Sequence, residues 1–260
     1  RLWSRQLVEP TRTQGPAEPA APLLHEDTLY VTCFVYDKAL AGNEQTGWLF
    51  ALAQATGRVR WRMEVSQGPV NAPVGRGLDG RFVLFVVARK GLLQAIDVSG
   101  EKPRRLWRHQ MPHEVFGAPA LEPEAEAPLL FLGSKFGSLR AIDARSGRQV
   151  WSRMAGNWID NTACVGRIDD ENVVFVGSHD YRLYAFRARD GAVLWKRPLG
   201  GEVYSAPCFF RHKGEPLLGV ATLDNHLYVI RARTGKVLTS YFTGLPVWDN
   251  VTKGETLWGS

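Results

Sequence analysis

The sequence predicts an all-β fold, a β-propeller of four-stranded antiparallel blades with five complete repeats and part of a sixth. Three observations carry this. A phrase closing on Trp recurs at nearly constant spacing, and a second marker follows it at a fixed offset. The residues between read as short strands, without helical periodicity.

The phrase is "AIDARSGRQVW" at 141–151, "ALAQATGRVRW" at 51–61 and "AFRARDGAVLW" at 185–195, with "VIRARTGKVLT" at 229–239. Its last residue stands at Trp61, Trp107, Trp151, Trp195 and Thr239, in steps of 46, 44, 44 and 44 residues. The turn glycines run in parallel at Gly57, Gly100, Gly147, Gly191 and Gly235. The second unit, "AIDVSGEKPRRLW", carries two extra residues. Twelve residues after each closing position come "VNAPV", "FGAPA", "DNTAC", "YSAPC" and "WDNVT". Two independent markers in one register define a true repeat.

Each unit divides into four strands. The first is of the "YSAPCFF" type. The second is an apolar run such as "RFVLFVVA" or "NVVFVGS". The third is short and alternating, as in "SLRAID", and the fourth carries the Trp. Lys90-Gly91, Phe136-Gly137, Asp180-Tyr181 and Asp224-Asn225 are expected as two-residue hairpin turns between second and third strands, Tyr181 fitting least well. Thr/Ser/Asp-Gly pairs close the third-to-fourth hairpins, the polar side chain capping and Gly taking a positive φ.

The pattern A-x-D-x-x-[ST]-G-x-x-x-W resembles the repeat of the PQQ-like, or quinoprotein-like, β-propeller family over essentially the whole chain. The units at Trp61 and Trp195 replace the Asp by Ala53 and Arg187, and the last replaces Ala and Trp by Val229 and Thr239. The resemblance implies that Trp61, Trp107, Trp151 and Trp195 dock each blade on its neighbour. The WD40 signature is missing. A single domain over 1–260 is expected, with a partial blade at each end, a Pro-rich loop at 8–22 and an enlarged turn at 37–47.

Composition excludes several classes. Apolar residues are 45% and charged residues 22% of the 260, ordinary for a folded chain. Cys33, Cys164 and Cys208 form no CxxC or adjacent pair, so zinc, thioredoxin-type and full disulfide frameworks are not supported, and burial as small apolar residues is expected. No run approaches a transmembrane helix, and no signal peptide is visible. GxSxG, P-loop and GxGxxG motifs are missing.

The resemblance raises the question of a quinone with calcium, which the family's dehydrogenases hold with acidic and amide ligands and often an adjacent-cysteine disulfide. That cysteine pair is missing here. Asp160, Asn161, Asp249 and Asn250 occupy equivalent first-strand places and suit a hard cation, or else hydrogen-bond a strand end. The reading is therefore no cofactor and a non-catalytic chain. His179 and Asp180 in "GSHDYRLYAF" read as a repeat turn rather than an acid–base pair.

Seventeen of the 32 Lys and Arg crowd the third-to-fourth hairpins. They protect exposed blade edges, or they form a basic rim for an anionic partner, with nucleic acid disfavoured by a net charge of only +6. The places nine and ten after each Trp vary most: Val70, Phe116, Asp160, Tyr204 and Trp248, then Asn71, Gly117, Asn161, Ser205 and Asp249. They form a candidate axial recognition surface, with drift as the alternative.

The leading expectation is a non-catalytic scaffold for a protein partner, similar to the propeller proteins of outer-membrane barrel assembly and so periplasmic or envelope-associated. The alternatives are a ligand-sensing propeller attached to an enzyme, since "GSHD" is similar to a stretch of aminoadipate-semialdehyde-dehydrogenase-like proteins, and a degenerate quinone-dependent dehydrogenase.

Overall fold

A computed structural model describes residues 18–36, 45–67 and 70–244. It is a β-propeller of four-stranded antiparallel blades, five of which are described. In the first blade the innermost strand is broken into β1 (Glu18–Pro19) and β2 (Leu23–His25). Both pair with β3 (Thr28–Tyr36), followed by β4 (Gln45–Ala53) and β5 (Val59–Gln67). The second blade is β6 (Val74–Leu78), β7 (Arg81–Val87), β8 (Leu92–Asp97) and β9 (Arg104–Gln110). The third is β10 (Ala120–Leu121), β11 (Leu129–Gly133), β12 (Ser138–Asp143) and β13 (Gln149–Met154). The fourth is β14 (Cys164–Ile168), β15 (Glu171–Ser178), β16 (Arg182–Arg187) and β17 (Val193–Pro198). The fifth is β18 (Cys208–His212), β19 (Glu215–Thr222), β20 (His226–Arg231) and β21 (Lys236–Phe242). Packing groups the chain into a unit of residues 1–119 with 145–147 and a unit of 120–144 with 148–260. Glu18–Pro19 is strand rather than loop, and residues 8–17 lie outside the described residues, as do 37–44 of the enlarged turn and both partial end blades.

The motif has a local physical cause. In four blades an aromatic on the second strand, Ala on the third and Trp on the fourth lie directly opposite one another. These rows are Tyr30–Ala51–Trp61, Phe85–Ala95–Trp107, Phe131–Ala141–Trp151 and Phe175–Ala185–Trp195. The two rings close over the alanine methyl with centroids 5.8–5.9 Å apart. A larger third-strand residue would collide with both. In the fifth blade the row is Gly219–Val229–Thr239, so the valine fills what the rings leave. A register shift follows the third-strand residue in every blade, which strengthens the twist at the Trp.

The Trp then meets the next repeat. A Cβ on Gly147 would fall 2.6 Å from the Trp107 ring, on Gly191 2.7 Å from Trp151, and on Gly235 2.7 Å from Trp195. Those glycines also hold φ of 66–70°, so two constraints select Gly. The indole N–H of Trp151 donates to Ala188 O at 2.8 Å and that of Trp195 to Ala232 O at 2.9 Å.

The turns correct one expectation. Gly137 N donates to Ser134 O and Gly91 N to Ala88 O, with a single left-handed residue, Gly91, Gly137, Tyr181 or Asn225, closing each second-to-third turn. These are type I turns plus a left-handed fourth residue, not two-residue hairpins. The two-residue left-handed hairpins join first to second strands instead, as at Asp79-Gly80 and Lys213-Gly214. Gly100 is also an exception: with two extra residues in its turn, it is not held at positive φ.

Candidate functional site

The candidate axial positions separate into joints and surface. Asn71 Nδ2 donates to Gly117 O at 2.9 Å, reaching the segment ahead of the next blade. Asn161 Nδ2 donates to Gly177 O and Val203 O at 3.1 and 2.9 Å, and the residue is 5% exposed. Ser205 Oγ donates to Ala221 O and accepts from Ala221 N within its own blade. Val70 is also buried. Val70 and Asn161 are therefore corrected from recognition surface to interior, because an inner strand end must satisfy its neighbour's carbonyls. Trp248 and Asp249 lie outside the described residues.

Asp160 and Tyr204 of the series build a site with His179 in the second unit. His179, at the end of β15, is 5% exposed. Its Nε2 lies 3.4 Å from Asp160 Oδ2 and its Nδ1 3.7 Å from Glu202 Oε2, within ion-pair reach but without aligned hydrogen bonds. The Tyr204 ring covers it at 4.0 Å between centroids, and Trp158 sits at 5.5 Å. Burial, then the charges of Glu202 and Asp160, push the Tyr204 hydroxyl above its ordinary pKa. Sequence reading placed His179 in a repeat turn. That holds for its neighbour Asp180, which takes Gly156 N, Arg182 N and the Tyr184 hydroxyl, as Asp224 takes Tyr228 in the next blade. The His179 contacts come from other blade segments and were missed. Their signal was positional: Arg89, Lys135 and His179 share one repeat place, and each lies over an aromatic of the following segment. Arg89 stands over Phe116 at 4.1 Å and Lys135 over Trp158 at 4.7 Å.

Around this cluster the turns expose large aromatics. Phe136 is 63%, Tyr181 50% and Trp158 42% exposed. Phe136 and Tyr181 occupy second-to-third turns, and Trp158 the segment entering the fourth blade, so all belong to one end of the strands. Tyr181 holds φ of +68°, a strained place for a bulky residue. The site is thus an enclosed imidazole between two carboxylates, rimmed by exposed rings and a lysine.

The basic hairpins are largely engaged within the chain. Arg153 and Arg197 donate to the turn carbonyls of Gly191 and Gly235 in the next blade. Arg145 pairs with Asp79, Arg233 with Asp169, Arg187 with Glu171 and Asp190, and Arg231 with Glu215.

Among the described residues no group of three His, Cys, Asp or Glu could hold a metal ion. The amide nitrogens of Asn71 and Asn161 are committed to backbone carbonyls. No helix among the described residues is long and apolar enough to cross a membrane.

Known proteins share this architecture. BamB from Moraxella catarrhalis superimposes with a TM-score of 0.56 at 15% identity, over 85% of this chain and 72% of its own. Quinohemoprotein alcohol dehydrogenase from Comamonas testosteroni gives 0.62 at 15% identity, over 89% of this chain and 45% of its own. The chain thus spans less than half of that enzyme. The computationally designed protein Ika8 gives 0.59 at 14% identity, over 89% and 76%. At these identities the likeness is one of fold. Among curated proteins none matches the chain in sequence. The family described as outer membrane protein assembly factor BamB matches residues 1–154 and 135–258.

Proposed function

Because the chain belongs to the family of outer membrane protein assembly factor BamB, we propose that it is a non-catalytic propeller scaffold that binds a protein partner during envelope assembly. The supporting observation is the exposed aromatic group Phe136, Trp158 and Tyr181 around the carboxylate-flanked His179. Aromatic rings with a charged rim are the usual energetic centre of protein interfaces. The reading places the chain in the periplasm or at the envelope and gives it no cofactor.

The test is site-specific photo-crosslinking in intact cells. A photoreactive residue at Phe136 or Tyr181 is expected to capture an envelope protein, and one at Ala192, on a third-to-fourth turn, is not. Equal capture from both positions, or recovery of the chain in the cytosolic fraction alone, would overturn the proposal. Titration with pyrroloquinoline quinone and calcium is expected to leave absorbance and melting temperature unchanged. A saturable shift would favour the dehydrogenase reading.

A further inference from the structure

The first unit contains a pocket of about 570 Å³ lined by Tyr30, Trp61, Phe82, Glu26, Arg60 and Glu101, among others. It lies where the joint between the first and second blades departs from the repeat in two ways.

The first departure is at the Trp. Trp107, Trp151 and Trp195 each lie under the next repeat's turn glycine. Gly100 should cover Trp61, but a Cβ placed on it would approach only Lys102 O, at 4.0 Å. The two extra residues of "SGEKPRRLW" carry the turn away. The Trp61 indole N–H has no hydrogen-bond partner among the described residues, whereas those of Trp151 and Trp195 bond the following blade.

The second departure is in charge. Glu26, Asp79 and Asp169 are equivalent, each opening a first-to-second turn with φ of 50–51°. Asp79 takes Arg145 at 3.0 Å, and Asp169 takes Arg233. Both arginines stand two residues before their turn glycine. Each also directly follows the alanine whose N–H bonds the second strand, Ala144 or Ala232; Val98 holds that alanine's place in the second blade, so the place of the arginine is Ser99. Glu26 has no hydrogen bond or ion pair among the described residues, and neither has Glu101. The cations nearby are already matched, Arg60 by Asp27, and Arg81 and Arg104 by Asp97 at 3.7 and 3.3 Å. The unmatched charge is therefore negative. It borders an aromatic wall in which Tyr30 meets Trp61 at 5.9 Å and His25 stacks on Phe82 at 3.4 Å.

We propose that this pocket binds an arginine side chain presented by a partner polypeptide. Its guanidinium takes the place that Arg145 and Arg233 hold at the other joints, against Glu26 and Glu101, and its plane lies along the Trp61 ring. A backbone carbonyl of the same polypeptide accepts from the Trp61 indole N–H. A planar fork that can pair with carboxylates and stack on an aromatic face distinguishes arginine from lysine here. Like the proposed function this requires a polypeptide partner, but through residues separate from the Phe136 and Tyr181 patch.

The test is calorimetric titration of the full chain with acetyl-Gly-Arg-Gly-amide, and with the neutral citrulline isostere as control. Millimolar or tighter binding is expected, with citrulline at least about 10-fold weaker. E26Q and E101Q should each weaken binding roughly 3- to 10-fold. S99R supplies the missing guanidinium within the chain, so it should abolish peptide binding while leaving photo-capture at Phe136 intact. Thermal melts confirm that each variant is folded. No binding up to about 10 mM, arginine and citrulline peptides within 2-fold of each other, or undiminished binding to S99R would each overturn the proposal.

Discussion

Replacing Gly191 by Ala probes the joint between the third and fourth repeats. The new Cβ meets two obstacles. Its residue would sit at φ of +70°, which costs an L-residue about 1 kcal/mol. It would also fall 2.7 Å from Cδ2 and 2.8 Å from Cε3 of Trp151, well inside the ~3.5 Å at which carbon atoms meet without repulsion. The ring must retreat, with an overpacking cost of about 1–3 kcal/mol. Retreat also stretches the 2.8 Å bond from the Trp151 indole to Ala188 O, worth about 1 kcal/mol. The sum is roughly 3–5 kcal/mol. Gly214 is the control. Its φ is +81° with nothing within 4 Å of a new Cβ, so Gly214→Ala should cost only about 1 kcal/mol. Urea unfolding followed by circular dichroism measures both. If the two variants agree within about 0.5 kcal/mol, the Trp does not couple the repeats and the docking argument fails.

Asn161→Leu removes a buried amide from two carbonyls and should cost about 3 kcal/mol in the same assay, whereas a cost under about 1 would show that Asn161 is not a joint. Burial pushes the Cys33 and Cys164 thiols up to about 11 from an ordinary 9.0, so at pH 8 Ellman's reagent should find one fast thiol, Cys208, and two slow ones. Three fast thiols would refute that burial. The same two groups stay neutral in the folded chain while the unfolded chain ionises. Their contribution to stability is full below pH 9 and fades as pH rises from 9 towards 11, which alkaline melts should show. Tyr181→Gly relieves a left-handed φ at an exposed place and should raise stability by up to about 1 kcal/mol, with a loss counting against strain there.

Legibility in the sequence followed distance along the chain. The Ala and Trp of "AIDARSGRQVW" face each other across one hairpin, so their partnership was written into an eleven-residue phrase. The aromatic that completes the row, Phe131, lies one strand earlier and was visible only as part of an apolar run. Asn71 and Asn161 were read as recognition positions because they differ between blades. They differ because only some joints use an amide where others, as at Ser205, bond within the blade. His179 became informative only when folding brought Asp160 and Glu202 to its two nitrogens from 19 residues before and 23 after. The two-residue excess near Gly100 could be counted directly, but that it uncovers Trp61 required knowing which glycine covers which ring.

The aromatic–Ala–Trp rows also constrain how such a chain can be rewritten by mutation. A valine entering at Ala141 while Phe131 and Trp151 remain has no room, and losing Phe131 first leaves a void beside the indole. Either single step is destabilising, and the fifth blade carries Gly219, Val229 and Thr239 in the same three places. The three positions are therefore expected to change together. In related chains a non-aromatic second-strand residue should accompany a third-strand residue larger than Ala, and a reconstructed ancestor should pass between the two states through a compensating swap.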